Sequence, residues 1–313
     1  MASPVLVCGS MAFDTIAVFE GRFKEHILPE RVQSLSVSFL TPSMRKEYGG
    51  CAGNIAYNLK LLGGNPVPVA TVGEDAGDYL ERLRALEIDA SRVKVIPQTL
   101  TAQCFITTDL DDNQIAAFHP GAMSFSAQND VSGAQAAWAI VAPDAKEGMF
   151  AHAERLHAAG IPFIFDLGQA MPLFDGADLR RMLQLAQVLT VNDYEAGVVE
   201  QRTGNSIAEL ARGLQAAVVT RGGEGASLWT KEGEQQIAPI AAAQVVDPTG
   251  CGDAHRAGLL YGLSLGWSWL DCCRLGNVMG AIKIASRGPQ NHRPSREEIS
   301  NALLQSYGIS LPV

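Results

Sequence analysis

The chain has 313 residues, 47% of them hydrophobic and 18% charged, with a formal net charge of -9. An acidic chain repels a phosphate backbone, which argues against a nucleic-acid partner, although a local nest of backbone N–H groups can still hold the phosphates of one nucleotide. The six cysteines form no CxxC pair, the N-terminus has no basic region ahead of an apolar run, and no apolar run nears the length of a membrane span, so the expectation is a reduced, cytoplasmic protein.

Residues 4–9 form a short apolar run ending in glycine, suited to a buried strand. Residues 15–46 alternate β-formers with polar side chains. Residues 53–62 read as a helix and 66–73 as a strand. Residues 75–86 carry Leu80, Leu83 and Leu86 at helical spacing. Residues 101–108 and 114–118 read as a hairpin across the polar turn DLDDN. From Ala137 the rhythm is strand, helix, strand: AAWAIVAP, EGMFAHAERLHAAG, IPFIFDLG, ADLRRMLQLA, AQVLTVND, YEAGVVEQ, LQAAVVTRGG. A polar segment, GASLWTKEGEQQ, follows, and residues 254–286 are helical almost throughout. Alternation of this kind predicts a doubly wound, mainly parallel α/β sheet with helices on both faces. The segments near 15–46 and 99–120 break the alternation. They predict a small β-sheet lid over a single domain spanning 1–313.

The segment VVDPTGCGDAHRAGLLYGL, residues 245–263, carries the clearest chemistry. A β run ends at Val246, Asp247-Pro248 breaks it, Gly250-Cys251-Gly252 turns, and Asp253 opens a helical pattern. Amides at a helix start are unpaired, and the helix dipole favours an anion there. Anion binding alone does not explain a carboxylate at that place. A general base does: Asp253 could take a proton from a hydroxyl while the amides hold a transferring phosphoryl group. A capping Asp is the plain structural alternative. The chain contains no GxxxxGK[ST], so it is not a P-loop NTPase.

DPTGCGDAHRAG resembles the C-terminal signature of the ribokinase-like carbohydrate kinases, the PfkB family. GGCAGNIAYNLKLLGGNPVPVATVG, residues 49–73, is similar to that family's N-terminal motif, VNDYEA to its N-x-x-E motif, and TRGGEG to its nucleotide-binding loop. The likeness spans nearly the whole chain. Cys251, His255 and Pro248 depart from it, standing where alanine or glycine, an aromatic residue and threonine are common. It implies an ATP-dependent kinase with Asp253 as base and Gly250, Cys251 and Gly252 as anion hole. It implies an acceptor held by Asp14, Gly49, Gly50 and Asn54, and a nucleotide held by Asn192, Thr220, Gly222, Gly225 and Asn277. Glu195 would order the water shell of Mg2+. Asp247 and Thr249, with the loop at 286–288, would bind a monovalent cation such as K+. Each has a plainer reading: Asp14 as a loop residue, Asn54 as a helix cap, Asn192 and Glu195 as a capping box, Asp247 and Thr249 as turn chemistry. Arg256 reads as a salt-bridge residue or a phosphate contact.

For the acceptor, HPGAM (119–123), HRAG and FDLGQAMPLF (165–174) resemble segments of bacterial adenosine-kinase-like members. Apolar Phe, Met and Ala near the site suit a flat base. No Lys/Arg cluster stands near Asp14 or Asn54 to hold a sugar phosphate. Arg45 and Lys46, the one basic pair nearby, read as a solvated turn. The expectation is therefore transfer from ATP to the 5′-hydroxyl of a ribonucleoside of adenosine or inosine type. A ribokinase- or fructokinase-type sugar kinase is the enzyme alternative, and a ligand-binding regulator on the same scaffold the non-enzyme one. The chain alone is compatible with a monomer or a homodimer.

Overall fold

A computed structural model describes residues 3–27, 36–111 and 113–312. Residues 28–35, within the stretch expected to form the lid, and Asp112 of the DLDDN turn lie outside the described residues. The first half contains β1 (Pro4–Cys8), β2 (Ala12–Val18), α1 (Phe23–His26), β3 (Ser43–Gly49), α2 (Cys51–Leu61), β4 (Asn65–Val72), α3 (Gly77–Ala85), β5 (Val93–Val95), β6 (Ala102–Thr108) and β7 (Gln114–His119). The second contains β8 (Trp138–Val141), α4 (Lys146–Ala158), β9 (Phe163–Asp166), α5 (Gly176–Leu185), β10 (Val188–Asn192), α6 (Asp193–Thr203), α7 (Ile207–Ala211), β11 (Ala216–Thr220), β12 (Ala226–Thr230) and β13 (Gly233–Ile237). Three helices end the described chain: α8 (Cys251–Ser264), α9 (Trp269–Ile284) and α10 (Arg296–Tyr307).

Among the described residues, the larger sheet has the order β13-β12-β11-β10-β9-β8-β1-β4-β5. All pairings from β11 to β5 are parallel, while β12 and β13 add an antiparallel edge. The apolar runs of the parallel strands are buried because both faces are covered. In β1, Val5 and Val7 pack with Ile55, Leu59 and Leu260 on one face. Leu6 and Cys8 pack with Met149, Phe163 and Leu189 on the other. That strict alternation follows from the period of a strand, and it gives the doubly wound, mainly parallel architecture the sequence implies.

Parallel strands bring their C-terminal ends to one edge, where ligands bind in such sheets. Asp166, Asn192 and Thr220 end β9, β10 and β11, and Asn192 stands in register with Thr220. At the same edge the chain leaves β1 and enters a second sheet of order β3-β2-β6-β7. The junction is pinned: Ser10 N–H donates to Pro143 O at 3.1 Å, and Ser10 O accepts from Ala52 N–H at 2.9 Å.

Three local expectations change. The polar segment after Thr220 is the hairpin β12–β13, whose second strand keeps four of its five residues exposed. The short strand β5 gave no alternation to read. Arg45 and Lys46 lie within β3 rather than in a turn; Arg45 pairs with Glu47 at 3.3 Å, and Lys46 Nζ sits 3.5 Å from the Phe13 ring centroid. No helix among the described residues is long and apolar enough to cross a membrane.

Candidate active site

Helix α8 starts where a left-handed residue allows it. Gly250 has φ of 79°, a conformation that costs an L side chain, and a Cβ there would stand 2.8 Å from Pro289. Cys251 N–H turns back onto Pro248 O at 3.1 Å, and Ala254 N–H takes Gly250 O at 2.9 Å. Between them the amides of Gly252 and Asp253 have no protein hydrogen-bond partner among the described residues. The Gly250 amide likewise has no such partner, so of the three expected anion-hole residues only Cys251 has its amide already committed. Burial pushes the Cys251 thiol up to about 11, which keeps it protonated.

Asp253 is half-buried in the first turn of α8. Burial raises its carboxyl from 3.8 to about 6; the Asn54 hydrogen bond opposes this, the charge of Asp166 adds to it, and Arg256 opposes it. Asn54 Nδ2 donates to Asp253 Oδ2 at 2.8 Å. Gln290 Nε2 donates to Asn54 Oδ1 at 3.0 Å and to Tyr79 OH at 2.8 Å. Tyr79 OH donates to Gly49 O at 2.7 Å, and Arg82 Nε donates to Gln290 Oε1 at 3.3 Å. Amide orientation is usually ambiguous, but here two fixed ends remove the ambiguity. Arg82 can only donate and the Gly49 carbonyl can only accept. Gln290 must therefore present N–H to Asn54, and Asn54 must present N–H to Asp253. Asn54, expected to hold an acceptor hydroxyl, has its carbonyl on Gln290 and one amide hydrogen on Asp253, leaving one hydrogen for a ligand.

Asp14 lies in β2 opposite Glu47 and leans on the backbone of Gly49, where a Cβ would stand 2.6 Å from Asp14 Oδ2. Burial, then the charges of Glu47 and Asp247, raise the Asp14 carboxyl to about 6. Gly50 has φ of 82° and caps α2, so the two glycines bring Asp14 and the start of α2 together.

On the other side of the α8 start is a cavity of about 510 Å³. Thr220, Gly222, Gly225, Asn277, Cys251 and Gly252 line it, which brings most of the expected nucleotide residues together. Its remaining wall is apolar, with Ile240, Ala281 and Ile284 among its residues. His255 also lines it, and burial lowers that imidazole to about 3, so the ring is neutral. Asn192 and Glu195 form a capping box at α6: Glu195 N–H donates to Asn192 Oδ1 at 2.7 Å, and Asn192 N–H to Glu195 Oε2 at 2.9 Å. Burial raises the Glu195 carboxyl, against the Asn192 N–H bond and with the charge of Asp166. Among the described residues no cluster of three or more His, Cys, Asp or Glu could hold a metal by itself.

Sequence reasoning missed several residues here. Asp166 is one: Arg256, expected as a salt-bridge residue or a phosphate contact, makes a bidentate pair with it, Nη2 to Oδ1 at 3.0 Å and Nε to Oδ2 at 3.1 Å, both side chains buried. A charged residue ending the apolar run IPFIFD was the available signal for Asp166. Gln290 and Tyr79 gave none. Phe165 and Phe174, in the segment expected to offer apolar faces to a base, are buried in the core, with ring centroids 6.0 Å apart.

A family model for pfkB family carbohydrate kinases matches residues 5–296. The chain belongs to the pfkB family of carbohydrate kinases. Within it, this kinase is 51% identical to the nucleoside kinase of Burkholderia thailandensis solved in complex with inosine, covering 98% of this chain and 99% of that one at a TM-score of 0.89. The same nucleoside kinase in complex with ADP-inosine gives 51% identity and a TM-score of 0.86, covering 98% of this chain and 97% of that one. A curated nucleoside kinase from Methanocaldococcus jannaschii is 28% identical over 276 residues, 88% of this chain and 91% of that protein. The signatures around Asn54 and Asp253 thus stand in a pfkB-family phosphotransferase acting on a hydroxyl group.

Proposed function

We propose that this pfkB-family kinase transfers the γ-phosphoryl group of ATP to the 5′-hydroxyl of a ribonucleoside, with Asp253 as general base. The observation that carries it is the place of Asp253: it stands at the free amides of a helix start, with a glycine-lined cavity on one side and the Asn54–Gly49–Asp14 surface on the other. A carboxyl raised to about 6 is ionised at neutral pH yet basic enough to receive a proton in the transition state. The likeness to nucleoside kinases, one of them solved with inosine, supports the acceptor class.

In this reading Asp14 accepts hydrogen bonds from the ribose 2′- and 3′-hydroxyls, helped by the remaining Asn54 amide hydrogen. The 5′-oxygen then lies beside Asp253, which takes its proton as the oxygen attacks the γ-phosphorus and the bond from that phosphorus to the β,γ-bridging oxygen breaks, releasing ADP. The Gly252 and Asp253 amides stabilise the charge that develops on the transferring group. The glycine-lined cavity holds the nucleotide through Thr220, Gly222, Gly225 and Asn277. Glu195 and Asn192 are anchored oxygen donors suited to the water shell of a Mg2+ carried in by the phosphates. That ion supplies charge neutralisation along the phosphate chain. The β2–β3–β6–β7 sheet, in this reading the lid, covers the acceptor and excludes water, so the γ-phosphoryl group passes to the acceptor rather than to water.

The test is ATP-dependent phosphorylation of inosine, adenosine, ribose and fructose, each at matched concentration. The ribonucleosides should dominate in kcat/KM. Activity confined to ribose or fructose refutes the acceptor and leaves the kinase standing.

A further inference from the structure

The turn before α8 is held from behind by the end of α9. Val246 and Asp247 N–H both donate to Ile284 O, at 2.9 and 3.2 Å. Asp247 Oδ2 accepts from Gly288 N–H at 2.8 Å and Oδ1 from Thr249 N–H at 2.9 Å. Burial would raise the Asp247 carboxyl, but those amides hold it below its ordinary value, so it is ionised. Between the two loops lies Lys283, fully buried in the last turn of α9. Its Nζ donates to Asp247 O at 2.7 Å and to Ser286 O at 3.0 Å.

A monovalent cation bound by Asp247, Thr249 and the 286–288 loop, as the family resemblance implies, would need these same oxygens. Each Asp247 carboxylate oxygen is on an amide and keeps spare lone pairs, but the two carbonyls are on an ammonium whose own charge would repel a second cation at the same oxygens. The donor set does not fit a bound K+. We propose that Lys283 is a tethered replacement for that cation: its ammonium clamps the Asp247 and Ser286 carbonyls, fixes the anion-binding turn, and frees the enzyme from K+. The ammonium carries the same single positive charge and meets the carbonyl oxygens by donation instead of coordination. Its position at a helix C-terminus adds favourable dipole potential. Because it is covalently attached, it is present at any salt concentration. Lys283 is a positioning residue, since it acts through the turn and touches neither reacting group. The proposal builds on the kinase reading.

Two arms test it. In the first, the wild-type melting temperature and turnover are compared in KCl and in N-methylglucamine chloride at equal ionic strength. Both should agree, turnover within about twofold. In the second, Lys283→Ala should lose turnover roughly tenfold or more through the loosened turn. KCl or NH4Cl, but not N-methylglucamine chloride, should restore part of that turnover and raise the variant's melting temperature. Lys283→Met keeps the bulk without the charge or the space, and should show the loss without rescue; it covers an alanine variant that does not fold. A wild type activated severalfold by K+, variants with wild-type turnover, or an impaired alanine variant indifferent to small cations each overturns the proposal. The melting arm needs no substrate, so it decides this point even if no nucleoside is phosphorylated and the acceptor reading fails.

Discussion

The two sides of the α8 start are built from different materials. On the nucleotide side, glycines and apolar residues make most of the cavity wall, and among its lining residues only Thr220, Cys251, His255 and Asn277 carry polar side chains. On the acceptor side, a continuous run of side-chain hydrogen bonds goes from Arg82 through Gln290 and Asn54 to Asp253, with two raised carboxyls at its working end. A surface made of backbone tolerates side-chain changes, whereas a relay in which each donor fixes the next does not. Sensitivity to substitution should therefore be lopsided across the cleft.

The largest effect should come from Asp253→Asn. The amide keeps the size but cannot accept the proton, so kcat should fall by roughly two to four orders of magnitude with KM values little changed. Turnover near wild type removes Asp253 from the mechanism. The same variant carries a stability signature. The folded carboxyl titrates near 6 against 3.8 for the free group, so its protonation favours the fold below about 3.8, and that contribution is lost as pH rises through about 6. Melting of Asp253→Asn relative to wild type should therefore improve from about pH 4 to about pH 8; a constant difference contradicts the raised carboxyl.

Asp166→Ala comes next. It leaves the buried Arg256 guanidinium without its bidentate partner, and urea unfolding should show a loss of about 3–5 kcal/mol. An unchanged midpoint would mean the pair is solvated in solution.

Gln290→Glu sharpens the comparison, because it preserves shape and strengthens the Arg82 contact. It nevertheless presents an acceptor to Asn54, turns that amide over, and sets its oxygen against Asp253. A carboxylate that loses its donor is harder to ionise. The acid limb of kcat, near pH 6 in the wild type from the Asp253 carboxyl, should move up by about one unit, with a plateau roughly tenfold lower. If Gln290 merely packs, glutamate should leave the limb in place.

The smallest effect should fall on the nucleotide side. Thr220→Ala removes a hydroxyl whose protein partner is Val191 O at 3.4 Å, a weak contact. KM for ATP should rise by no more than about threefold, with kcat unchanged. A hundredfold loss would show that this side too depends on particular side chains.

Much of the fold was legible because it rests on local pattern. Apolar runs such as AIV in β8 and FIF in β9 are buried on both faces, and a buried parallel strand leaves that mark in sequence. The β12–β13 edge was hidden because an exposed edge strand is polar, and GEQQI reads like a loop. The motifs announced Asp253 and Asn54, but not that they bond to one another. That bond joins residues 199 positions apart, and the next joins residues 236 apart. No periodicity encodes such a meeting. Lys283 read as one more residue on a helix, since a buried cation differs from a solvated one only in what lies around it.

The relay from Arg82 to Asp253 also bears on how this enzyme can change over generations. Its polarity is set at Gln290, which takes a guanidinium that only donates and, through Tyr79, meets a backbone carbonyl that only accepts. A substitution at one position reverses a dipole that the neighbouring amide must then follow. Room for compensation is small, because a Cβ on Gly53 would stand 1.9 Å from the Tyr79 hydroxyl. Asn54, Tyr79, Arg82 and Gln290 should thus drift as a linked set, although the last lies far down the chain from the others. A chimera that exchanges the C-terminal third with that of a distant relative would inherit half of a matched pair, and its base would be aimed by an amide facing the wrong way.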